Sequence, residues 1–421
     1  MRAGIDQVTH GRNPLPGIRP ALAGLRPQRA GVVYALVLLV LVLMVTTAVQ
    51  HQPAYLSVIN VSDILSQSAP DAILAVFMTV VLISGNFDLS VASVAALAAA
   101  LALKTIDTVG TPAAVLIALS CGALVGLVNA VLVQKIGVNA FIVTLGTMTA
   151  VRGVVLIALD GESVTARSQA LVTLDNTVFR VPPVVAVLAG VGLLVLCGVR
   201  VRRLTTRHAP PLDGFFLTAA TCAVLAIVIP AVAPAMLAQP LPVWLMLWVT
   251  VGVALALRFL VPGRNLYAVG SNAEAARLSG VNVDLYKMVP FVLTGLASAF
   301  VGLLYAGRFN SVDPNALTGE ELTVIAAAIL GGTSLFGGAG HVAKSVLGTL
   351  VLYTLSNGFN VLNLGANYQY VVQGAVLIAA SAVYTVAARA PKRRAGASDT
   401  PASELAPAEH ADTLHSATER S

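Results

Sequence analysis

Charged residues are scarce in this sequence. Asp, Glu, Lys and Arg make up 10% of its 421 residues, whereas hydrophobic residues make up 57%. Soluble globular chains carry roughly 25% charged residues, so the composition excludes that class. The net charge of +6 gathers at the ends of apolar segments and in the two terminal regions, so it does not indicate nucleic-acid binding. We expect a polytopic membrane protein.

Motifs for catalysis or nucleotide binding are also lacking. The sequence contains no HExxH, no paired CxxC and no G-x-S-x-G, and no metal site is predicted. The three cysteines lie inside apolar runs, where a thiol behaves as a small hydrophobe. The nearest match to a phosphate-binding loop, 338–345, has Ala343 in place of the second glycine and no strand before it. We therefore expect no catalytic residue and no cofactor in this chain.

Apolar segments of about twenty residues can cross a bilayer as helices. The sequence predicts an all-α protein with about twelve such spans, of which the third, tenth and eleventh are short. They are 31–49, 70–85, 89–103, 112–133, 140–159, 182–199, 214–233, 242–261, 289–307, 321–336, 345–359 and 369–387.

Loop charges predict the orientation of these spans. Starting from a cytoplasmic, disordered tail at 1–30, most loops with Lys or Arg fall inside, as the positive-inside rule expects. Lys104 and Arg308 are exceptions. The even count places a second disordered tail, 388–421, in the cytoplasm as well, with the transmembrane domain at 31–387.

One polar loop, 264–287, separates two long apolar segments and predicts a short helix outside the bilayer. Ser271 or Asn272 can cap its first turn, and Gly280 offers a left-handed stop. The candidate residues for docking another protein are Gly270, Ser271, Asn272, Glu274, Ala275, Ala276, Arg277 and Gly280. The alternative is an ordinary connecting loop.

Two stretches carry a resemblance to a known family. Glu274-Ala275-Ala276 followed by Gly280 resembles the EAA-type coupling loop of membrane subunits of ATP-binding cassette importers. The runs 278–283 and 330–340 resemble the ribose and xylose branch of sugar permeases. The second run supplies the structural glycines Gly331, Gly332, Gly337, Gly338 and Gly340.

This resemblance implies a type II-like permease in the bacterial inner membrane with both termini cytoplasmic. Its implied partners are ATPase subunits that carry ATP and Mg, an extracytoplasmic sugar-binding protein, a second copy of the chain and a monosaccharide. Ribose, xylose, galactose and other pentoses or hexoses are not separated by the sequence.

Polar residues interrupt the apolar pattern between the second and third spans. We expect Asp88 to cap the third helix, with Ser90 and Ser93 on its polar side, lining a translocation path. The stretch resembles the family's Gly-x-Asp-Leu-Ser-Val-Gly-Ser motif, with Ala92 in place of a glycine. The alternative is a purely structural cap in a tight turn.

The start of the fifth span resembles the family again. Asn139, Phe141 and Thr144 are candidates for the path, with Thr147 on part of the same face, although buried threonines often bond a backbone carbonyl instead. Arg152, further along this span, requires a partner that the sequence does not name.

The outer loop 310–321 concentrates three acids. Asp313, Asn315 and Glu320 are candidates for docking a binding protein through complementary charge, and Glu321 is a candidate for the path. Solvated surface acids are the alternative.

Two further features concern packing and fold. Segments 182–233 form a predicted two-helix hairpin inserted into the roughly ten spans usual for the family, with a structural or assembly role. Small residues four apart, Gly122 with Gly126 and Ser298 with Gly302, predict close helix contacts.

The main functional alternative is an ion-coupled carrier that uses Asp88 or Glu321 as an ion or proton site. An ion-driven carrier has no physical need for a loop such as 264–287, so that loop favours the importer.

Overall fold

The computed structural model describes residues 27–206 and 214–365, with a few single positions between 368 and 378. This part of the chain is mostly helical. The helices are α1 Pro27–Val49, α2 Val58–Ile83, α3 Val91–Val109, α4 Thr111–Val131, α5 Ala140–Ala158, α6 Ala170–Asp175, α7 Pro183–Thr206, α8 Gly214–Val232, α9 Leu241–Phe259, α10 Val261–Ser271, α11 Ala273–Leu278, α12 Val283–Phe309, α13 Glu320–Leu330 and α14 Val342–Val361.

Seven of the described helices are long and apolar enough to cross a membrane: α1, α2, α3, α4 with its π-helical extension Leu132–Ile136, α5, α9 and α12. The count of about twelve spans is not confirmed. The predicted span 321–336 is shorter than expected, because α13 has 11 residues. At about 1.5 Å per residue it covers only about half of a hydrocarbon core roughly 30 Å thick. Most of the last predicted span, 369–387, and most of both tails lie outside the described residues.

Helices α2, α3 and α12 form the interior, whereas α1, α5 and α9 expose most of their apolar surface. Small residues allow α12 to approach α3 and α4 closely. A Cβ built on Gly122 would lie 2.4 Å from the Gly295 backbone oxygen, and one built on Gly302 would lie 2.1 Å from that of Ala95. The predicted close contacts of these glycines are confirmed, and they lie within one chain.

Two short antiparallel strand pairs gather the loops on the predicted outer side. β1, Val164–Thr165, pairs with β4, Ser311–Val312. β2, Val178–Arg180, pairs with β3, Ala238–Pro240. The first pair joins the loop after α5 to the loop before α13. Helices α7 and α8, in the predicted hairpin, pack against each other.

Candidate functional site

Helix α11 occupies the predicted docking loop, and the side chain of Asn272 caps it. The Asn272 Oδ1 atom accepts a hydrogen bond from the Ala275 backbone N–H at 3.0 Å. Ser271, the other predicted cap, ends α10 instead, and its Oγ donates to the Tyr267 carbonyl at 2.8 Å. Gly280 follows α11 with φ +81°, in the left-handed region. We call residues 264–287 the coupling segment.

The coupling segment presents a mixed surface and anchors itself through one small side chain. Glu274 and Arg277 are exposed, and Leu278 is 82% exposed. Ala276 is buried against Val269 and Val283. A short helix held on one side and open on the other suits docking into a cleft of another protein.

An ion network ties the coupling segment to the end of α4. Asp284 pairs with Lys135 at 2.8 Å and lies 3.9 Å from Arg277. The Gln134 amide donates to the same carboxylate at 2.9 Å. The sequence did not point to Asp284, because a local pattern does not predict a contact between residues 149 positions apart, such as Lys135 and Asp284.

Three glycines allow the coupling segment to touch the end of α2. A Cβ built on Gly270 would lie 1.7 Å from the Ile83 carbonyl oxygen, so no larger side chain fits without movement. Gly338 donates its backbone N–H to the same oxygen at 2.9 Å. A Cβ on Gly337 would lie 2.7 Å from the Gly270 oxygen. The Tyr267 hydroxyl also donates to the Gly340 carbonyl at 2.8 Å.

The other two glycines of this loop have local roles. A Cβ on Gly331 would lie 2.6 Å from the Lys344 backbone, and Gly332 has φ +83°. The loop 330–340 therefore packs backbone against backbone, on α14 at one end and on the coupling segment at the other.

We call residues 84–90, between α2 and α3, the junction. The expectation that Asp88 caps α3 is corrected: Ser90 is the N-cap residue. Asp88 Oδ1 instead accepts the Ser90 backbone N–H at 2.9 Å and the Ser90 hydroxyl at 2.6 Å, in a turn that precedes the helix. Asp88 is 1% exposed. Ser93 is equally buried, and its Oγ has no hydrogen-bond partner in the described structure.

A buried asparagine that the sequence reasoning missed links the junction to α5. Asn129, in α4, is completely buried. Its Nδ2 donates to the Ser90 Oγ at 3.1 Å, and its Oδ1 accepts from the Thr147 hydroxyl at 2.6 Å. An asparagine within an apolar span was a signal in itself, because polar groups at that depth require partners.

The predicted path residues of α5 divide into two groups. Asn139 caps the helix by accepting from the Phe141 N–H at 2.9 Å, and Phe141 is 53% exposed. Thr144 is buried, with its hydroxyl bonded to the Ala140 carbonyl at 2.8 Å. Thr144 thus makes the backbone hydrogen bond that buried threonines often make, and its place on the path stays a prediction.

Arg152 receives its partner from the outer loop. Its Nη1 atom donates to the backbone carbonyls of Pro314 at 3.1 Å and Ala316 at 2.8 Å. The neighbouring polar residues Asp313 and Asn315 are exposed. This arginine fastens the outer loop to α5.

The acids that begin α13 face the interior more than the outside. One carboxylate oxygen each of Glu320 and Glu321 is buried without a hydrogen-bond partner in the described structure. Glu320 lies beside Asp71, which the Tyr353 hydroxyl contacts. Of the three candidate docking residues, only Asp313 and Asn315 are classed as exposed.

Comparison with known proteins gives the chain its family. Residues 60–381 match the family described as branched-chain amino acid transport system / permease component. The ribose import permease protein RbsC of Escherichia coli (strain K12) is 34% identical over 344 residues, covering 82% of this chain and 90% of the relative. The xylose transport system permease protein XylH of the same strain is 34% identical, covering 78% and 85%.

A ribose import permease protein RbsC from Haemophilus influenzae (strain ATCC 51907 / DSM 11121 / KW20 / Rd) is 32% identical over 81% of this chain and 89% of the relative. No solved structure matches the chain. The matched region runs through the junction, the coupling segment and the glycine loop 330–340, which are the parts that the geometry brings together. This chain is therefore a multi-pass membrane protein that belongs to the branched-chain amino acid transport system / permease component family.

Proposed function

We propose that this chain is the membrane permease subunit of an ATP-binding cassette importer for a monosaccharide. The observation that carries the proposal is the exposed, Asn272-capped helix α11, which directly follows α10, the helix that packs on the end of α2 through Gly270. Relatives whose names state ribose import and xylose transport support the sugar. They also favour the importer over an ion-coupled carrier.

The sequence of this chain contains no phosphate-binding loop, so separate ATPase subunits would bind the ATP. Those subunits would dock on the coupling segment. ATP and Mg would reside on those subunits. A sugar-binding protein would dock on the opposite side, at Asp313 and Asn315, and would supply most of the selectivity. The sugar itself, a pentose or a hexose, would be held weakly.

Two copies of the chain would form the conduit in the inner membrane, with both termini in the cytoplasm and about twelve spans each. The exposed face of α5 supports this assembly, since Phe141 and Ile142 are 53% and 63% exposed at its inner end. Asp88 and Glu321 would be the acids along such a path, and few ionisable groups would suit a neutral polyol better than a charged metabolite.

Co-purification tests the proposal. The chain is expressed together with an ATPase and a sugar-binding protein from the same importer system, and the membrane complex is purified through a tag on the ATPase. We expect a stable complex whose ATP hydrolysis rises with sugar-loaded binding protein. A chain that elutes alone and hydrolysis that does not respond would contradict the proposal.

A further inference from the structure

We propose that Asn129 is a positioning residue that transmits movement of the coupling segment to helix α5. This inference rests on the proposed function and identifies the contacts through which an ATPase would act on the membrane-embedded part. The relevant contacts run from the coupling segment to the junction, and from the junction through α4 to α5.

The first step is a close backbone contact between the coupling segment and the end of α2. Gly270 of the coupling segment meets the last carbonyl of α2, on Ile83, with no room for a side chain between them. Gly338 donates to that same carbonyl at 2.9 Å, so one oxygen is held from two sides. A displacement of the coupling segment must therefore displace the end of α2 or break this packing.

The second step lies within the junction. Ser84 donates to the Val81 carbonyl at 2.6 Å, and Asn86 Nδ2 donates to the Ser84 hydroxyl at 3.2 Å. Asp88 holds both the backbone N–H and the hydroxyl of Ser90. These side chains are at most 7% exposed, so the bonds are shielded from competing water. The junction moves as a unit.

The third step is the asparagine bridge. The Thr147 hydroxyl donates to the Asn129 carbonyl oxygen, the Asn129 amide donates to the Ser90 hydroxyl, and that hydroxyl donates to the Asp88 carboxylate. Every donor points toward the carboxylate, so each bond polarises the next. Only a side chain that carries both an acceptor and a donor, as the amide of asparagine does, can complete this series of hydrogen bonds.

Much of the surface of α5 is exposed in this chain, so the hydrogen bonds through Asn129 are among the few contacts that couple it to the junction. Ile142, Leu145 and Ile157 are 63%, 39% and 78% exposed. If the junction moved and α5 stayed, Asn129 would lose a partner while buried, which is costly. The bridge therefore favours movement of α5 together with the junction.

Thr147 provides matched variants for the test. Thr147→Val keeps the shape and removes the hydroxyl, and Thr147→Ser keeps the hydroxyl. Both are prepared in the full complex with ATPase and binding protein in proteoliposomes. We expect Thr147→Val to lower the sugar imported per ATP hydrolysed by about 5- to 30-fold, the factor expected when the buried Asn129 loses one hydrogen-bond partner. Thr147→Ser should couple like the unmodified complex.

Asn129→Leu should produce the same loss, and combining it with Thr147→Val should add little, because the two changes break one bridge. A labelling experiment separates positioning from mere folding. Ile142→Cys is introduced after replacing the native cysteines with alanine, and the thiol labelling rate is measured on assembled complexes with and without ATP. The ATP-dependent change should persist with Thr147→Ser and disappear with Thr147→Val.

Unchanged coupling and an unchanged ATP-dependent labelling rate in Thr147→Val would overturn the inference while leaving the proposed function intact. Failure of the proposed function would be seen in the unmodified complex. If that complex shows no ATP-driven uptake, the proposed function fails and the inference fails with it.

Discussion

Glu274 lies in the first turn of α11 with its side chain 75% exposed, 3.9 Å from Arg277. A carboxylate at a helix N-terminus is stabilised by the helix dipole, but an exposed one contributes little to folding. Its charge is therefore available to a partner.

Glu274→Arg should leave membrane insertion unchanged and lower the sugar imported per ATP by at least about tenfold, equivalent to about 1.4 kcal/mol of lost interaction. Uptake and ATP hydrolysis are measured together in proteoliposomes. Glu274→Gln, which keeps the size and removes the charge without reversing it, is the control. Its sugar import per ATP should lie between those of the unmodified complex and of Glu274→Arg. Undiminished uptake with Glu274→Arg would mean that the loop is only a connector.

Gly270 tests the packing beneath the coupling segment. Gly270→Ala forces a methyl group into the Ile83 carbonyl, and overpacking of this kind costs about 1 to 3 kcal/mol. Gly252→Ala, in α9, is the matched control because a Cβ there meets nothing within 4 Å. Thermal unfolding of the detergent-purified protein should show a lower Tm for Gly270→Ala only. Equal Tm values for the two variants would contradict the close approach.

At the scale of elements, besides its packing on α3, helix α5 is joined by side-chain hydrogen bonds to the junction and to the outer loop. Its middle is joined to the junction through Thr147 and Asn129, and Arg152 joins it to the outer loop between β4 and α13. The outer loop is also paired with the segment after α5 through β1 and β4. Docking on the outer loop and movement of the coupling segment would thus both reach the same helix.

Arg152→Met keeps a long side chain and removes the donors to the Pro314 and Ala316 carbonyls. Leaving such groups unpaired costs about 1 to 3 kcal/mol, so the stimulation of ATP hydrolysis by sugar-loaded binding protein should fall by about 5- to 30-fold. Basal hydrolysis should change little. Arg152→Lys, which restores a donor, should recover part of the stimulation, and a normal stimulation with Arg152→Met would contradict this role.

Elements were predictable where the determinants are local. The α11 cap and its glycine stop follow from residues within one or two turns, so the sequence predicted this helix correctly. The cap of α3 was predicted wrongly: Ser90 is the N-cap residue, and Asp88 accepts hydrogen bonds from Ser90 in the turn before the helix. The length of α13 was overestimated, since the predicted span extended to Phe336 although Gly331 ends the helix.

At the scale of the whole molecule, buried charge is concentrated at few places and most of the surface of α1, α5 and α9 is apolar. Apolar surface of this extent requires lipid or another subunit. This surface fits a multi-pass membrane protein, and under the proposed function its activity should depend on the ATPase and the sugar-binding protein.

Reconstituted alone in proteoliposomes, the chain should not accumulate sugar in response to a proton or sodium gradient. Addition of the ATPase, ATP and sugar-loaded binding protein should produce uptake. Radiolabelled ribose and xylose are the first substrates to measure, with vesicles lacking the chain as the control. Accumulation driven by the gradient alone would identify a secondary transporter and would contradict the importer.

By itself, the sequence determined the class of the protein, the short helix α11 and the polar stretches worth attention, because hydropathy and capping are properties of neighbouring residues. The tertiary structure alone decided that Asn129 joins Ser90 to Thr147, that Arg152 holds the outer loop and that Asp284 ties α4 to the coupling segment. These contacts join residues far apart in the chain, and their partners are fixed only when the helices pack.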